Sequence, residues 1–313
     1  MIQINSRRTN FPASARGLFL IGALLLTAST CFAQQDDDEV VRVNTDLVVL
    51  NVTVSDKAGQ YVPGLKLADF KVFEDGKEVP ISLISSFGAQ ESPFASVVLL
   101  DTSGSMENRL TLGRSAAIRF LDGLREEDVA AVYNFDQKVE QVQDFSGGRD
   151  LAPMAFTLRA KGLTTLYDAI VQASTVLAQR EEKRKAIIVL SDGLDTSSKA
   201  SSGKAIDSAL AVGASIYAVD MSATEGISAR NGQSAAALKG FAEKTGGRFV
   251  ATPGGPALRD AFAGIAQELG HQYTIAFRPL NSKHDGRWRA IDVKLSRDDL
   301  VVRTRKGYRS PKK

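Results

Sequence analysis

The sequence predicts an α/β protein with a doubly wound, mostly parallel sheet and a smaller all-β domain built from its N- and C-terminal segments. Between residues 93 and 279, short apolar runs alternate with helical patterns, which is typical of a parallel sheet covered by helices. Before and after that stretch, only strand patterns occur. Oxygen-bearing side chains directly follow two of the apolar runs, which indicates a functional site at one edge of the sheet.

Residues 1–33 have the pattern of a secretion signal. Three arginines precede an apolar stretch at residues 17–26, and a small-x-small cleavage sequence ends at Ala33. The apolar stretch is shorter than the ~20 residues that a membrane-spanning helix needs. We therefore expect cleavage after Ala33 and export to the periplasm or the cell exterior, with no membrane span in the mature chain.

Composition argues against nucleic-acid binding and against thiol chemistry. The chain has a formal net charge of +3, and the signal segment holds three basic and no acidic residues, so the mature chain is expected to be neutral. A neutral protein lacks the basic surface that attracts nucleic acid. The single cysteine, Cys31, leaves with the signal segment, so the mature protein forms no disulfide.

Residues 34–92 and 280–313 are expected to form β structure, after an acid-rich leader at residues 34–39. In the first segment, side chains alternate between apolar and polar, and Asp75-Gly76 marks a hairpin. Because neither segment has enough strands for a stable sheet of its own, we predict that they pack together as one immunoglobulin-like domain. The predicted strands are residues 48–55, 70–73, 79–83, 287–295 and 300–303.

Residues 93–279 contain the elements of the predicted α/β sheet. The predicted strands are residues 97–100, 129–135, 139–142, 186–190, 215–219 and 273–277. Among these, 139–142 forms an antiparallel edge by a hairpin with the strand before it, and 273–277 closes the sheet. The predicted helices are residues 114–124, 167–177, 205–212, 235–245 and 256–269.

The motif D-x-S-x-S follows the first buried strand of this region. It places the carboxylate of Asp101 and the hydroxyls of Ser103 and Ser105 in one loop, and Gly104 permits a tight turn there. Hard oxygen ligands suit a small hard cation such as Mg²⁺ or Mn²⁺. The carboxyl end of a strand is also where open α/β sheets bind their ligands.

Two further motifs follow in order: G-x-T-x-L-Y-D at residues 162–168, and an apolar strand that ends in S-D-G at residues 191–193. Together the three motifs resemble the von Willebrand factor A (VWA) family, whose metal-ion-dependent adhesion site is built from three such loops. The resemblance implies a site for Mg²⁺ (or Mn²⁺ or Ca²⁺). Its ligands would be Asp101, Ser103, Ser105, Thr164 and Asp192.

A closer resemblance covers nearly the whole mature chain. Residues 41–43, 69–76 and 100–106 are similar to segments of the bacterial "VWFA-related" family common in Acidobacteria. Residues 272–275, 285–287 and 305–308 are similar to its C-terminal signature. The resemblance specifies the architecture more than the biological role.

The VWA resemblance implies a binding protein for adhesion or another protein–protein interaction. Three neutral hydroxyls and two carboxylates leave a divalent cation incompletely satisfied, so a carboxylate of a protein partner would complete its coordination. In this family Ser103 and Ser105 would bind directly, Thr164 would bind when ligand is present, and Asp101 and Asp192 would often act through water. The second hypothesis is a cell-envelope scaffold whose metal only orders the loops, and the third is a metal-dependent hydrolase.

Other enzyme classes fit the sequence less well. Asp101-Thr102-Ser103, with a second Asp-Thr-Ser at residues 195–197, resembles the loops of aspartic proteases. However, serine replaces the glycine of that motif, and a helical pattern follows. The two histidines lie in no hydrolase motif, and with no cysteine in the mature chain they make a zinc site improbable. Asp168 and Asp220 are expected to cap a helix and a loop, respectively.

Overall fold

The structure, a computed structural model, describes residues 47–88, 92–147, 162–192, 195–222, 229–252 and 254–312, without the side chains of residues 229–231. All of these residues belong to one compact unit, Thr45–Lys313. The predicted signal segment, the acidic leader and Gly193 lie outside the described residues. No helix in the described ranges is long and apolar enough to cross a membrane.

The described residues form fourteen strands and five α-helices. The strands are β1 (Val48–Asp56), β2 (Phe70–Glu74), β3 (Lys77–Glu78), β4 (Ile84–Gly88), β5 (Phe94–Asp101), β6 (Val129–Phe135), β7 (Val139–Ser146), β8 (Arg184–Ser191), β9 (Ala214–Asp220), β10 (Phe249–Ala251), β11 (Tyr273–Phe277), β12 (Trp288–Leu295), β13 (Leu300–Arg303) and β14 (Gly307–Arg309). The helices are α1 (Leu110–Asp122), α2 (Leu166–Ala178), α3 (Ser202–Ala211), α4 (Ala229–Thr245) and α5 (Gly255–Gly270).

A six-stranded mixed sheet in the order β10-β9-β8-β5-β6-β7 forms the α/β part of the molecule. All of its neighbouring strands are parallel except β6 and β7, which form the predicted antiparallel edge. Helices cover both faces. Val98 and Leu100 of β5 lie in one apolar cluster with α1 and α5, whereas Val97 and Leu99 lie in a second with α2 and α3. This two-sided burial explains why β5 reads as an uninterrupted apolar run.

Two four-stranded antiparallel sheets join the N- and C-terminal segments. Their orders are β13-β1-β11-β4 and β14-β12-β2-β3, so that β1 pairs with β13 and β2 pairs with β12. The two sheets share one apolar cluster. Its members include Leu50, Val72, Tyr273, Ile275 and Val293.

Two sequence predictions about strands are wrong. Residues Tyr273–Phe277 do not close the parallel sheet, because β11 pairs antiparallel with β1 and β4. All five of its residues are buried, and a strand buried on both faces has the same apolar pattern in either kind of sheet. The predicted strand at 79–83 is also absent: β3 ends at Glu78, Pro80 has no N–H to donate, and Ile81–Leu83 forms a 3₁₀ turn.

A buried carboxylate connects the α/β sheet to the antiparallel sheet that contains β1 and β13. Glu268 of α5 is 1% exposed, and it accepts hydrogen bonds from the Tyr217 hydroxyl of β9 at 2.7 Å and from the Arg303 guanidinium of β13. Thr53 of β1 donates to the same carboxylate at 3.3 Å. Because three sheet strands meet at one charged group, we infer that the two parts of the molecule fold cooperatively.

Replacing Arg303 with glutamine should lower the free energy of unfolding by about 2–3 kcal/mol, because the buried Glu268 loses the arginine that donates a hydrogen bond to it. The more distant Arg248, whose Nε lies 3.7 Å from Glu268, limits the loss. Chemical denaturation measures this difference, and the double variant Arg303→Gln/Glu268→Gln should recover at least half of it. The control is Lys239→Gln in the exposed Lys239–Glu243 pair, which should change stability by less than about 0.5 kcal/mol. Equal effects of Arg303→Gln and Lys239→Gln would contradict this account.

Candidate metal centre

The candidate site lies at the carboxyl edge of the α/β sheet, where β5 and β8 end side by side. These strands pair in parallel from Phe94 opposite Arg184 to Leu100 opposite Leu190. The register places Asp101 at the end of β5 and Asp192 directly after β8, at the same edge. Both side chains are buried, since Asp101 is 1% and Asp192 is 7% exposed as whole residues.

The D-x-S-x-S loop is fixed by the carboxylate of Asp101. One carboxylate oxygen, Oδ1, accepts a hydrogen bond from the Ser103 backbone N–H at 2.8 Å, and the other accepts one from the Ser191 hydroxyl at 2.5 Å. The Ser103 and Ser105 hydroxyls share a hydrogen bond at 3.2 Å, and Ser105 donates to Asp192 at 2.8 Å. The structure therefore brings four of the five predicted ligands into one group of oxygens.

The fifth predicted ligand, Thr164, lies in the adjoining loop. Gly104 N–H donates to the Gly162 carbonyl at 3.3 Å, which joins this loop to the D-x-S-x-S loop. The backbone of Thr164 is held by Thr196, whose hydroxyl accepts from the Thr164 N–H and whose own N–H donates to the Thr164 carbonyl, both at 2.9 Å. Thr164 itself is 5% exposed.

Arg109 also belongs to the site, although none of the three sequence motifs includes it. Its Nη1 donates to Asp192 Oδ2 at 2.8 Å, and the two side chains are 14% and 1% exposed. A 3₁₀ turn, Gly104–Arg109, carries the side chain back from the D-x-S-x-S loop to the end of β8. The only sequence signal was a cationic residue shortly after a predicted anionic loop.

Three other carboxylates near these loops hold the backbone. Asp220 accepts from the Ser222 N–H at 2.8 Å, which confirms its predicted role as a loop cap. The helix-capping prediction for Asp168 is wrong, because its carboxylate accepts from the N–H groups of Lys199 and Ala200 in another loop. Asp195 accepts from the Tyr167 N–H at 3.1 Å, so it satisfies a backbone donor in the first turn of α2.

Residues 96–194 match the family described as the von Willebrand factor type A domain. The chain contains a VWA domain. No curated protein sequence matches the chain. The five predicted ligands and Arg109 all lie within the matched residues.

Several solved structures are similar to this chain at low sequence identity. The PilB minor pilin from Streptococcus sanguinis is 16% identical with a TM-score of 0.46, and the match covers 62% of this chain and 63% of the pilin, slightly less than two thirds of it. The vWF domain of the type V pili tip protein Mfa5 from Porphyromonas gingivalis is 16% identical with a TM-score of 0.47 over 56% of this chain and 94% of that one. A von Willebrand factor type A protein from Catenulispora acidiphila is 13% identical with a TM-score of 0.47, over 85% and 75% of the two chains.

The charges of the VWA site are unbalanced. Asp101 and Asp192 contribute two carboxylates, and Arg109 contributes one cation, which pairs with Asp192. Burial raises the pKa of Asp101 to about 6, against the lowering effect of its hydrogen bonds from Ser103 and Ser191, and the charge of Asp192 raises it further. A nearby cation would stabilise the ionised form of this buried carboxyl group.

The oxygen set of the VWA site fits a hard divalent cation. Within the described ranges, no group of three or more His, Cys, Asp or Glu side chains is arranged to hold a metal ion. A metal at this edge would therefore depend on serine and threonine hydroxyls together with the two aspartates. Oxygen-only ligands of this kind suit Mg²⁺ or Mn²⁺ and not zinc.

Asp101→Asn should stabilise the metal-free protein at pH 8 by up to about 3 kcal/mol, the free energy that corresponds to the raised pKa. Between the ordinary carboxyl pKa of 3.8 and about 6, the folded state binds more protons than the unfolded state. Stability due to this group therefore falls as pH rises through that window. Chemical denaturation at pH 4.5 and pH 8 in chelator measures the effect.

The gain from Asp101→Asn should shrink toward zero at pH 4.5, where wild-type Asp101 is itself protonated. Asp220→Asn is the control, because Asp220 is also a buried aspartate at the end of a strand of this sheet, β9, which is separated from β5 by β8. A gain from Asp101→Asn that is equal at both pH values would contradict the raised pKa.

Proposed function

We propose that the VWA domain binds Mg²⁺ or Mn²⁺ at Asp101, Ser103, Ser105, Thr164 and Asp192, and that the bound cation holds a carboxylate of a protein partner. The observation that supports this most is the continuous group of oxygens from Ser103 through Ser105 to Asp192, with Asp101 beside it. These oxygens lie at the edge of the sheet where α/β proteins bind ligands.

The charge of the site favours an anionic partner. Two carboxylates and Arg109 sum to one negative charge, so a divalent cation would leave the loaded site with one positive charge. An incoming carboxylate would neutralise that charge and supply a hard oxygen to the cation. Arg109 is thus expected to weaken cation binding while it strengthens the preference for an acidic partner.

The hydrogen bonds of Asp101 favour binding over catalysis. Both of its carboxylate oxygens already accept hydrogen bonds within the fold, from Ser103 and from Ser191. The residue is therefore suited to hold the loop in place, and less suited to exchange protons with a substrate. The bound cation would supply electrostatic attraction for the partner's carboxylate.

Titration calorimetry with Mn²⁺ tests the cation site. Wild type should bind one Mn²⁺, Asp101→Asn should lose most of the binding heat, and Arg109→Gln should bind about tenfold more tightly. The last expectation follows from Coulomb's law, since a divalent ion ~6 Å from a guanidinium is repelled by more than 1 kcal/mol even in water.

Two matched controls accompany that titration. Asp220→Asn neutralises a buried aspartate at the next strand end and should weaken Mn²⁺ binding much less than Asp101→Asn does. Arg119→Gln removes an exposed cation of α1 and should leave the affinity for Mn²⁺ unchanged. Equal heats from wild type and Asp101→Asn would refute the assignment of the site. Weaker Mn²⁺ binding by Arg109→Gln would show that Arg109 orients Asp192 for the cation and does not compete with it.

Capture of envelope proteins on the immobilised mature chain tests the partner. Capture should require Mg²⁺, disappear in chelator and be displaced by free glutarate, a soluble dicarboxylate. Thr164→Val should weaken capture at least fivefold more than it weakens Mn²⁺ binding, because this hydroxyl is expected to join the cation chiefly when ligand is present. Asp192→Asn should weaken both partner capture and Mn²⁺ binding. Capture that is unaffected by chelator would favour a scaffold whose metal only orders the loops.

A further inference from the structure

A second candidate site lies away from the proposed cation ligands, none of which lines it. A cavity of about 630 Å³ is bounded by the start of β1, the loop after β11, helix α3 and strand β14. This volume lies within the range of pockets that bind small organic molecules. Its walls include the apolar side chains of Leu83, Leu210 and Val212.

A buried arginine lies in the wall of this cavity, and none of the described carboxylates pairs with it. Arg305 is 8% exposed, and its Nη1 donates to the Leu210 carbonyl at 3.1 Å. Within the described residues, its Nε has no hydrogen-bond partner, and no carboxylate is close enough to affect its charge. The guanidinium carbon lies 5.8 Å from the centre of the Tyr308 ring. Burying a cation without an anion is costly, so the fold retains an unmet demand for negative charge here.

Arg305 keeps its charge at neutral pH. Burial lowers its pKa to about 10, and no described carboxylate opposes that effect, since the only raising influence comes from Tyr308. The group therefore remains a cation with an unfilled N–H donor. A planar guanidinium binds the oxygens of a carboxylate or phosphate through paired hydrogen bonds.

The charges that line the cavity are mostly positive. Six lysine or arginine side chains line it, against three acidic ones. Two of the three acids are already paired, Glu182 with Arg180 and Asp207 with Arg309, and the third, Glu181, is exposed. The remaining cations around the opening are Lys183, Lys185, Arg278 and Lys283.

We propose that this cavity binds a small organic anion, a carboxylate or a phosphate attached to an apolar body. Arg305 would supply the buried counter-charge, the lysines at the opening would attract the ligand, and the walls formed by Leu83, Leu210 and Val212 would hold the apolar body. The proposal is independent of the cation site, which lies at a different edge of the VWA sheet.

Calorimetric titration of the mature protein with three eight-carbon probes tests the proposal. Octanoate or octyl phosphate should bind, and neutral octanol should bind at least tenfold more weakly, because it lacks the charge that Arg305 requires. The stronger of the two anions identifies the headgroup. Equal binding of octanol and both anions would overturn the proposal, because the apolar walls alone would then account for binding.

Variants locate the charge that is responsible. Arg305→Gln should weaken binding of the better anion at least about tenfold, the loss expected for one charge-assisted hydrogen-bonded contact. Without ligand, the same variant should melt no lower than wild type, because it removes an uncompensated buried charge. If Arg305→Gln does not fold, Arg305 is required for stability and is not an uncompensated buried charge, which would contradict the premise of the proposal.

Lys185→Gln provides a second, milder variant of the same cavity. Lys185 is half-buried and lines the cavity, and its replacement should weaken binding of the better anion several-fold. The control is Lys306→Gln, an exposed lysine beside Arg305 that does not line the cavity, and it should leave the affinity unchanged. Anion binding that is unchanged in both Arg305→Gln and Lys185→Gln would also overturn the proposal.

Discussion

The parallel pairing of β5 with β8 is the constraint on which the site depends. It brings the ends of two apolar strands to one edge of the sheet, and with them the carboxylates of Asp101 and Asp192. Neither carboxylate would be buried at this edge without the helices that cover both faces of the strands. Burial then raises the pKa of Asp101 to about 6, so the same packing that stabilises the sheet creates a demand for positive charge.

Arg109 meets part of that demand and gives the site its asymmetry. Its guanidinium pairs with Asp192, while the carboxylate of Asp101 accepts hydrogen bonds from Ser103 and Ser191. One carboxylate is thus neutralised by a cation, and the other is held by N–H and O–H dipoles. We infer that the second carboxylate provides most of the electrostatic attraction for a divalent cation. Buried charges also occur at Glu268, which accepts a hydrogen bond from Arg303, and at Arg305, for which we propose an organic anion as the partner.

The sequence predicted the α/β sheet and its edge hairpin because buried strands and amphipathic helices have different apolar periods. It could not predict the partners of β11, because a strand buried on both faces looks alike in parallel and antiparallel sheets. Pro80, which has no N–H to donate, is a local signal against a strand at 79–83, and the observed strand β3 ends before it, at Glu78.

The candidate ligands could be predicted because they lie in short motifs after strands. Arg109 could not, because its contact with Asp192 spans 83 residues of sequence and depends on the path of a 3₁₀ turn. The contacts of Asp168 and Asp195 could not be predicted for the same reason, since each is made with a segment about 30 residues away in sequence. The loop at 195–200 folds over the start of α2, so Asp195 reaches the helix and Asp168 reaches the loop.

Anomalous diffraction from crystals grown with Mn²⁺ tests the central claim most directly. The account predicts one strong anomalous peak at the carboxyl edge of β5 and β8, within about 2.0–2.6 Å of the Ser103 and Ser105 hydroxyl oxygens. Arg109 should then either leave Asp192 or keep its hydrogen bond to Asp192 Oδ2, the oxygen that does not accept from Ser105. A peak at another position, or an Mn²⁺-free site with the Arg109–Asp192 pair unchanged at saturating Mn²⁺, would contradict it.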